Sequence, residues 1–275
     1  MTIEKIQQIL TFLEANYDRQ IDPLELEEIS NYSYRNIQRI FSAILQETIG
    51  DFCIRLKLEN AYKKLVYTDL SIVEVAYDVG YGNNQSFAKA FKNKFHITPL
   101  QARQSKKSLF EEYIQHKKEQ DFPISFEYVY KEPVHIYYKT LISNNYNNMA
   151  INDFWDDIID GNISIPVYNT FGIIVDQPII SDKEKSRYEA GIDQCAHPKS
   201  YLKKSIFGGW YAKYIHEGNY DTIEETYRKI YHRWLYENNY ELGTSPIIEQ
   251  YYIDENSGTE LTTEIYVPIQ RKLSK

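Results

Sequence analysis

The spacing of apolar residues changes character along this chain, from helical in the first third to alternating in the rest. Ile3, Ile6, Leu10, Leu13 and Tyr17 mark an amphipathic first helix. Between Ser71 and Arg103, Ile72, Val75, Ala76 and Val79 fall at i, i+3, i+4, i+7, and Gly80 stands where a helix-ending left-handed residue is wanted. A second run begins near Asn84, with Phe87, Ala88 and Phe91 on its buried side. Two short helices joined by a tight, glycine-containing turn is the form of a helix-turn-helix. The pattern occurs twice. Upstream, Asp22-Pro23 reads as N-cap and first helical residue, Leu26 and Ile29 as the apolar side, and Asn31 as the turn. Ser33 then caps a run with Ile37, Ile40, Phe41, Ile44 and Leu45 on one face. A single such pattern is about as often a plain helical hairpin. Two, bridged by the long helical run Phe52–Val66, are far more specific. On that bridge Phe52, Leu56, Ala61 and Leu65 are expected inward and Lys57, Lys63 and Lys64 outward.

From Phe122 the pattern becomes that of aromatic strands. Ile124–Tyr130 and Val134–Ile142 read as strands around Glu132-Pro133, Met149–Asp160 as a helix, and Val167–Val175 and Tyr188–Cys195 as strands. A similar order returns. Ser205–His216 is strand-like with a bend at Gly208-Gly209, and Tyr220–Asn238 is a helix with Ile223, Tyr227, Ile230, Tyr231, Trp234 and Leu235 inward. Pro246–Ile253 and Leu261–Ile269 alternate as a hairpin around Glu255-Asn256-Ser257-Gly258. The expected fold is therefore two domains. The N-terminal one is all-α, with two helix-turn-helix motifs joined by a long helix. The C-terminal one is α+β, with duplicated βαββ-like halves forming a cleft. The expected boundaries are 1–107 and 122–275. Residues 108–121 serve as a charged, amphipathic linker, either helical or a hinge.

The net charge of −8 argues against nucleic-acid binding only if taken over the whole chain. Counted along the sequence, residues 1–107 hold 14 basic and 13 acidic residues and the remainder 17 and 26. Between Lys89 and Lys107 the basic residues meet no acid, a stripe suited to phosphates. Cys53 and Cys195 suggest neither a disulfide framework nor a metal cluster. No apolar run reaches the ~20 residues of a membrane span, and the N-terminus lacks a signal peptide's basic start. The expected location is the cytoplasm, with no membrane partner and no cofactor.

On Ser33–Phe41 (SYRNIQRIF), Thr48-Ile49-Gly50, Arg55-Leu56 with Ala61, Ile72–Phe91, Phe91-Lys92 and Thr98-Pro99, the first 107 residues resemble the DNA-binding domain of AraC-type transcription regulators. Asn31 and His96 stand where the family usually has glycine, and Glu27 where it has a small residue. The second part resembles the GyrI-like small-molecule-binding domain, clearest in GGWYAKYIHEGNY, IIEQYYID and LTTEIYVPI. The combination is similar to the Rob-type subclass. Such domains bind lipophilic, often cationic compounds in a cleft with aromatic walls and a buried Glu, and some relatives hydrolyse strained electrophiles.

The residues themselves suit these roles. Tyr34, Arg35, Gln38 and Arg39 on the first reading helix, and Asn84, Gln85 and Lys89 on the second, are left outside by the apolar pattern. Arg can pair with guanine, and Asn or Gln with adenine. In the second part Glu249 matches the family's cavity Glu best and Glu264 second, with Glu189 a counterpart in the first repeat. Trp155, Trp210, Tyr211 and Tyr251 are candidate walls, since flat aromatic faces accept apolar and cationic ligands. The leading reading is a non-enzymatic, sequence-specific regulator of transcription. Its partners would be double-stranded DNA and a lipophilic, cationic effector, with RNA polymerase a further candidate. Two alternatives stand beside it: a hydrolase of small electrophiles, and a protein-recruiting module that takes no ligand.

Overall fold

The structure is a computed structural model that describes residues 3–114, 124–162, 164, 169–237, 240–252 and 262–271. It divides into two compact units, 1–104 and 105–275.

The first unit is helical: α1 (Ile3–Ala15), α2 (Pro23–Ser30), α3 (Tyr34–Leu45), α4 (Ile49–Tyr67), α5 (Ile72–Asp78), α6 (Asn84–Phe95) and α7 (Pro99–Gln104). Helix starts follow local chemistry. Asp22 with Glu25, and Ser71 with Glu74, form reciprocal capping boxes, and the Thr48 and Asn83 side chains accept backbone N–H groups of α4 and α6. Replacing Ser71 by Ala is expected to cost the unit about 1 kcal/mol, read as a lower urea midpoint at unchanged slope. The turns use the left-handed residues the sequence marks: Asn31 (φ 60°), Gly80 (φ 79°) and His96 (φ 61°). Ile6, Leu10, Leu13, Leu26, Ile37, Phe41, Phe52 and Leu56 pack into one core. Val75, Ala76, Val79, Phe87 and Phe91 are also buried, and Tyr62 of α4 stacks on Phe91.

Several local expectations are corrected. Ser33 sits at the N-cap of α3 but its side chain caps nothing. Glu27 takes that role, its carboxylate accepting the Tyr34 N–H at 2.6 Å, which explains an acid where a small residue was expected. Lys63 is buried, because α4 packs against α3, α5, α6 and α7 and has no true outer face over that turn. Arg55 is likewise buried, paired with Glu47 at 2.6 Å and Glu59 at 3.5 Å. Ile44 is exposed, and Ala88 is only half-buried.

The second unit begins with α8 (Lys106–Ile114), which covers part of the span assigned to a linker. Its Phe110 ring meets Tyr231 and Trp234. Then follow β1 (Glu127–Lys131), β2 (Val134–Ser143), α9 (Asn148–Asp160), β3 (Thr170–Ile174), β4 (Ser186–Ile192), β5 (Leu202–Ile206), β6 (Gly209–Glu217), α10 (Ile223–Glu237), β7 (Tyr240–Leu242), β8 (Ile247–Tyr252) and β9 (Thr262–Arg271). They build a curled antiparallel sheet in the order β1-β6-β9-β8-β3-β4-β2-β5, with β7 on β9. Residues paired across strands share a face. Ile136, Tyr138, Phe171, Ile173, Tyr211, Ile248 and Tyr266 pack together on one face. Tyr188, Ala190 and Ile192, on the other, pack with Ile151 and Ile158 of α9.

The span 205–216 is not one bent strand. Phe207 (φ 66°) and Gly208 (φ 90°) are both left-handed, and the chain leaves β5 paired with β2 to enter β6 paired with β1 and β9. The short β7 carries no alternation long enough to notice. The expected turn at 255–258 and the start of the strand expected from 167 lie outside the described residues.

Candidate functional site

On α3, Arg35, Gln38 and Arg39 are exposed, with Arg39 donating to the Asn36 side chain at 3.0 Å. Tyr34 is half-buried against the core, so it offers less to solvent than the apolar pattern implied. On α6, Asn84, Gln85 and Lys89 are exposed, followed by Lys92 and Lys94. Neither helix contains an acid, so nothing on them repels phosphate. The basic stripe read from the sequence is divided, however. Arg103 bonds the Leu65 and Leu70 carbonyls, and Lys106 and Lys107, in the second unit, lie over the Trp234 and Tyr236 rings.

In the second unit Glu249 lies on β8, on the face opposite the Phe171–Tyr266 core, paired with Gly172 of β3 and Ile265 of β9. It is 0% exposed. Three phenols donate to its carboxylate: Tyr227 of α10 at 2.6 Å, Tyr220 of the turn before α10 at 2.8 Å, and Tyr251 two residues along β8 at 2.5 Å. Tyr251 and Tyr188 of β4 share a hydrogen bond at 2.8 Å, and the Trp155 indole donates to Tyr188 at 2.7 Å. This network needs Gly172, where a Cβ would lie 2.1 Å from the Tyr251 hydroxyl and 2.5 Å from that of Tyr188.

Burial raises the Glu249 pKa, and the three phenols, holding the ionised form, only partly offset it. Burial first, and then the Glu249 charge, lift Tyr220, Tyr227 and Tyr251 well above the ordinary tyrosine range, so they remain protonated donors. A cavity of about 180 Å³ opens onto Glu249, lined also by Tyr113, Tyr146, Tyr220, Tyr227, Tyr231, Asp221 and Glu224. A second, of about 210 Å³, lies against Tyr220 and Tyr251 and is walled by Trp155, Ile151, Ile159 and Tyr252.

Of the six expected ligand residues, Glu249, Tyr251 and Trp155 come together. Glu264, Trp210 and Tyr211 do not join them. Glu264 pairs in register with Gln250, which turns it to the opposite sheet face. There it accepts from Tyr266 at 2.5 Å and Tyr252 at 2.9 Å and meets Lys213 at 3.4 Å. Burial would raise its pKa, but these three donors outweigh burial and lower it. Tyr211 is buried in the core of that face, and Trp210 is exposed near the sheet edge against Tyr130. Glu189 is buried and paired with Lys204. The residues missed are the phenols outside β8. Of these, Tyr227 is already legible as an inward position of α10, while Tyr220, in the turn before it, and Tyr188, on β4, carry no sequence signal that joins them to Glu249.

Paired helix-turn-helix motifs in one unit, and a curled sheet with an acid-floored aromatic pocket in the other, define a two-part class of helix-turn-helix proteins. The chain belongs to the AraC-type, Rob-like regulators that join such a head to a GyrI-like domain. The profile of the "GyrI-like small molecule binding domain" matches residues 107–270, and that of a "helix-turn-helix domain" residues 26–105. The HTH-type transcriptional activator RhaS of Mannheimia succiniciproducens is 33% identical over 102 residues, 37% of this chain and 38% of that protein. The HTH-type transcriptional activator AarP of Providencia stuartii is 30% identical over 94 residues, 34% of this chain and 70% of that protein. The chain thus spans about a third of the length of the first curated relatives it matches. The solved EcmrR C-terminal domain aligns over 54% of this chain and 98% of its own, at 16% identity and a TM-score of 0.40. No helix among the described residues is long and apolar enough to cross a membrane.

Proposed function

We propose that this chain is a sequence-specific DNA-binding regulator of transcription whose second unit senses a small lipophilic cation. The observation that carries the sensing half is Glu249, fully buried and bonded by three phenols, with no lysine or arginine bonded to it among the described residues. A buried carboxylate without a counter-ion is costly, and a cation entering the cavity relieves that cost. Aromatic walls add apolar contact and cation–π attraction. The cleft reading is supported by an internal offset. Glu127 and Leu202, Val134 and Gly209, and Glu189 and Glu264 are each 75 residues apart, and the strand order reads symmetrically outward from the β3–β8 pair. On this reading β2–β4 and β6–β9 are duplicated halves, and Glu249 sits where they meet.

The ligand half is tested by tryptophan fluorescence, because Trp155 is bonded into the Glu249 network. Tetraphenylphosphonium is expected to quench saturably, and neutral triphenylphosphine oxide much less. Equal binding of the two, or none by a panel of lipophilic cations, would remove the sensing role.

For the DNA half, Arg35, Gln38 and Arg39 of α3, with Asn84, Gln85 and Lys89 of α6, are the proposed reading residues, and Tyr34 a backbone contact at most. Arg35→Ala is expected to weaken specific binding by roughly 1–3 kcal/mol and to relax one base position. Fluorescence anisotropy on a set of single-base operator variants would read both effects.

A further inference from the structure

Among the described residues the main run of the sheet ends on β1 at one side and β5 at the other, with the three-residue β7 pairing only β9. An edge offers unpaired backbone N–H and C=O groups to any other strand, and proteins commonly guard it with lysine. The two edges differ in how many lysines they carry. β5 (LKKSI) carries adjacent lysines, with Lys203 exposed. β1 (EYVYK) instead shows Tyr128 and Tyr130, 53% and 51% exposed, and Trp210, 46% exposed, stands beside Tyr130 at 5.6 Å. All three share one sheet face, because Tyr130 pairs with Trp210 and Tyr128 with Ala212.

The β1 sequence is also complementary to itself when read antiparallel. With Val129 opposite Val129, Tyr128 falls opposite Tyr130 and Glu127 opposite Lys131. The aromatic pairs then lie on one face and the opposite charges on the other, the cross-strand combinations that stabilise antiparallel pairs. We propose that β1 is a homodimer interface, at which two copies of this chain join edge to edge about a twofold axis at Val129 to make one continuous sheet. The occupant is a second copy because a twofold contact places the same strand against itself, and this strand places unlike charges opposite each other when so placed. Glu127 meets Lys213 of its own chain at 3.2 Å but keeps 62% of its side chain exposed, so it can accept a second cation. Lys131, half-buried, donates to Tyr266 at 3.3 Å and lies over the Phe207 and Tyr266 rings of its own chain, contacts it would share or exchange on pairing.

Sedimentation velocity of the full chain over a concentration series tests this, with circular dichroism checking that each variant folds. The wild type is expected to shift from 32.6 kDa to twice that mass. Tyr128→Lys with Tyr130→Lys, which guards the edge with exposed side chains, is expected to abolish the dimer. Glu127→Lys and Lys131→Glu each place like charges opposite each other, so each alone is expected to be monomeric. A one-to-one mixture of these two restores both unlike pairs and is expected to form a heterodimer. A wild type that remains monomeric at the highest attainable concentration would overturn the proposal. So would a dimer that survives the double lysine change, or charge variants whose mixture does not associate.

Discussion

Glu249→Gln is expected to reduce tetraphenylphosphonium affinity by roughly 2–5 kcal/mol, from about thirtyfold to several thousandfold, while the domain stays folded. The carboxylate is the buried anion of the cavity, bonded by three phenols and by no described lysine or arginine, with His216 the basic group that acts on it from nearby. Glutamine keeps the shape, and its amide oxygen can still accept from the phenols on one side. Its amide nitrogen can only donate, so the change removes the charge together with part of the phenol bonding. The same change has a signature in pH. Because burial raises the Glu249 pKa, the folded protein holds this proton more tightly than the unfolded chain. The group's contribution to stability is therefore fully present below the ordinary glutamate range and lost as pH rises through the folded value. The wild type should lose stability across that window relative to Glu249→Gln, when both are followed by thermal unfolding. Cation binding runs the other way: it needs the ionised form, so affinity should fall as pH drops through the same window. A variant that binds the cation as well as the wild type would remove the charge from the account.

Gly80→Ala should have the largest effect on the first unit. Gly80 adopts φ 79°, and a Cβ there would lie 1.7 Å from the Asp18 carbonyl oxygen. Left-handed backbone costs alanine about 1–2 kcal/mol, and forcing a methyl group against backbone adds about 1–3 kcal/mol. A total of about 2–5 kcal/mol is a large share of the ~5–15 kcal/mol that holds a small domain together. At about 4–8 °C per kcal/mol for a domain of this size, the melting transition of the first unit should fall by about 8 °C or more. Gly82 provides the control. It sits two residues on with no atom within 4 Å of its added Cβ, so Gly82→Ala should leave calorimetry nearly unchanged.

The features legible in the sequence were those set by neighbours in the chain. Asp22, Asn31, Gly80 and His96 act on groups within a few residues, and each was readable as a cap or a turn. Lys63 misled because α4 touches helices on several sides, so helical periodicity gave it an outer face that packing removes. Ser33 misled because its place was taken by Glu27, a side chain from the preceding helix. In the second unit, alternation along β8 and β9 gave the correct faces within each strand. What it could not give was register between strands. That register decides that Glu249 looks toward α10 while Glu264, so alike in local pattern, looks to the opposite face. The phenols around Glu249 come from β8, α10 and the turn before it, a convergence that only the folded topology creates.

The central claim, that this chain reads DNA by sequence through two helices, is tested most directly by selecting bound DNA from a random pool with the full chain. The account expects one recovered motif of two short blocks, centred about 10–10.5 base pairs apart. Arg35→Ala should blur one block and Gln85→Ala the other. Retained DNA that shares no common sequence, or a motif indifferent to both substitutions, would contradict it.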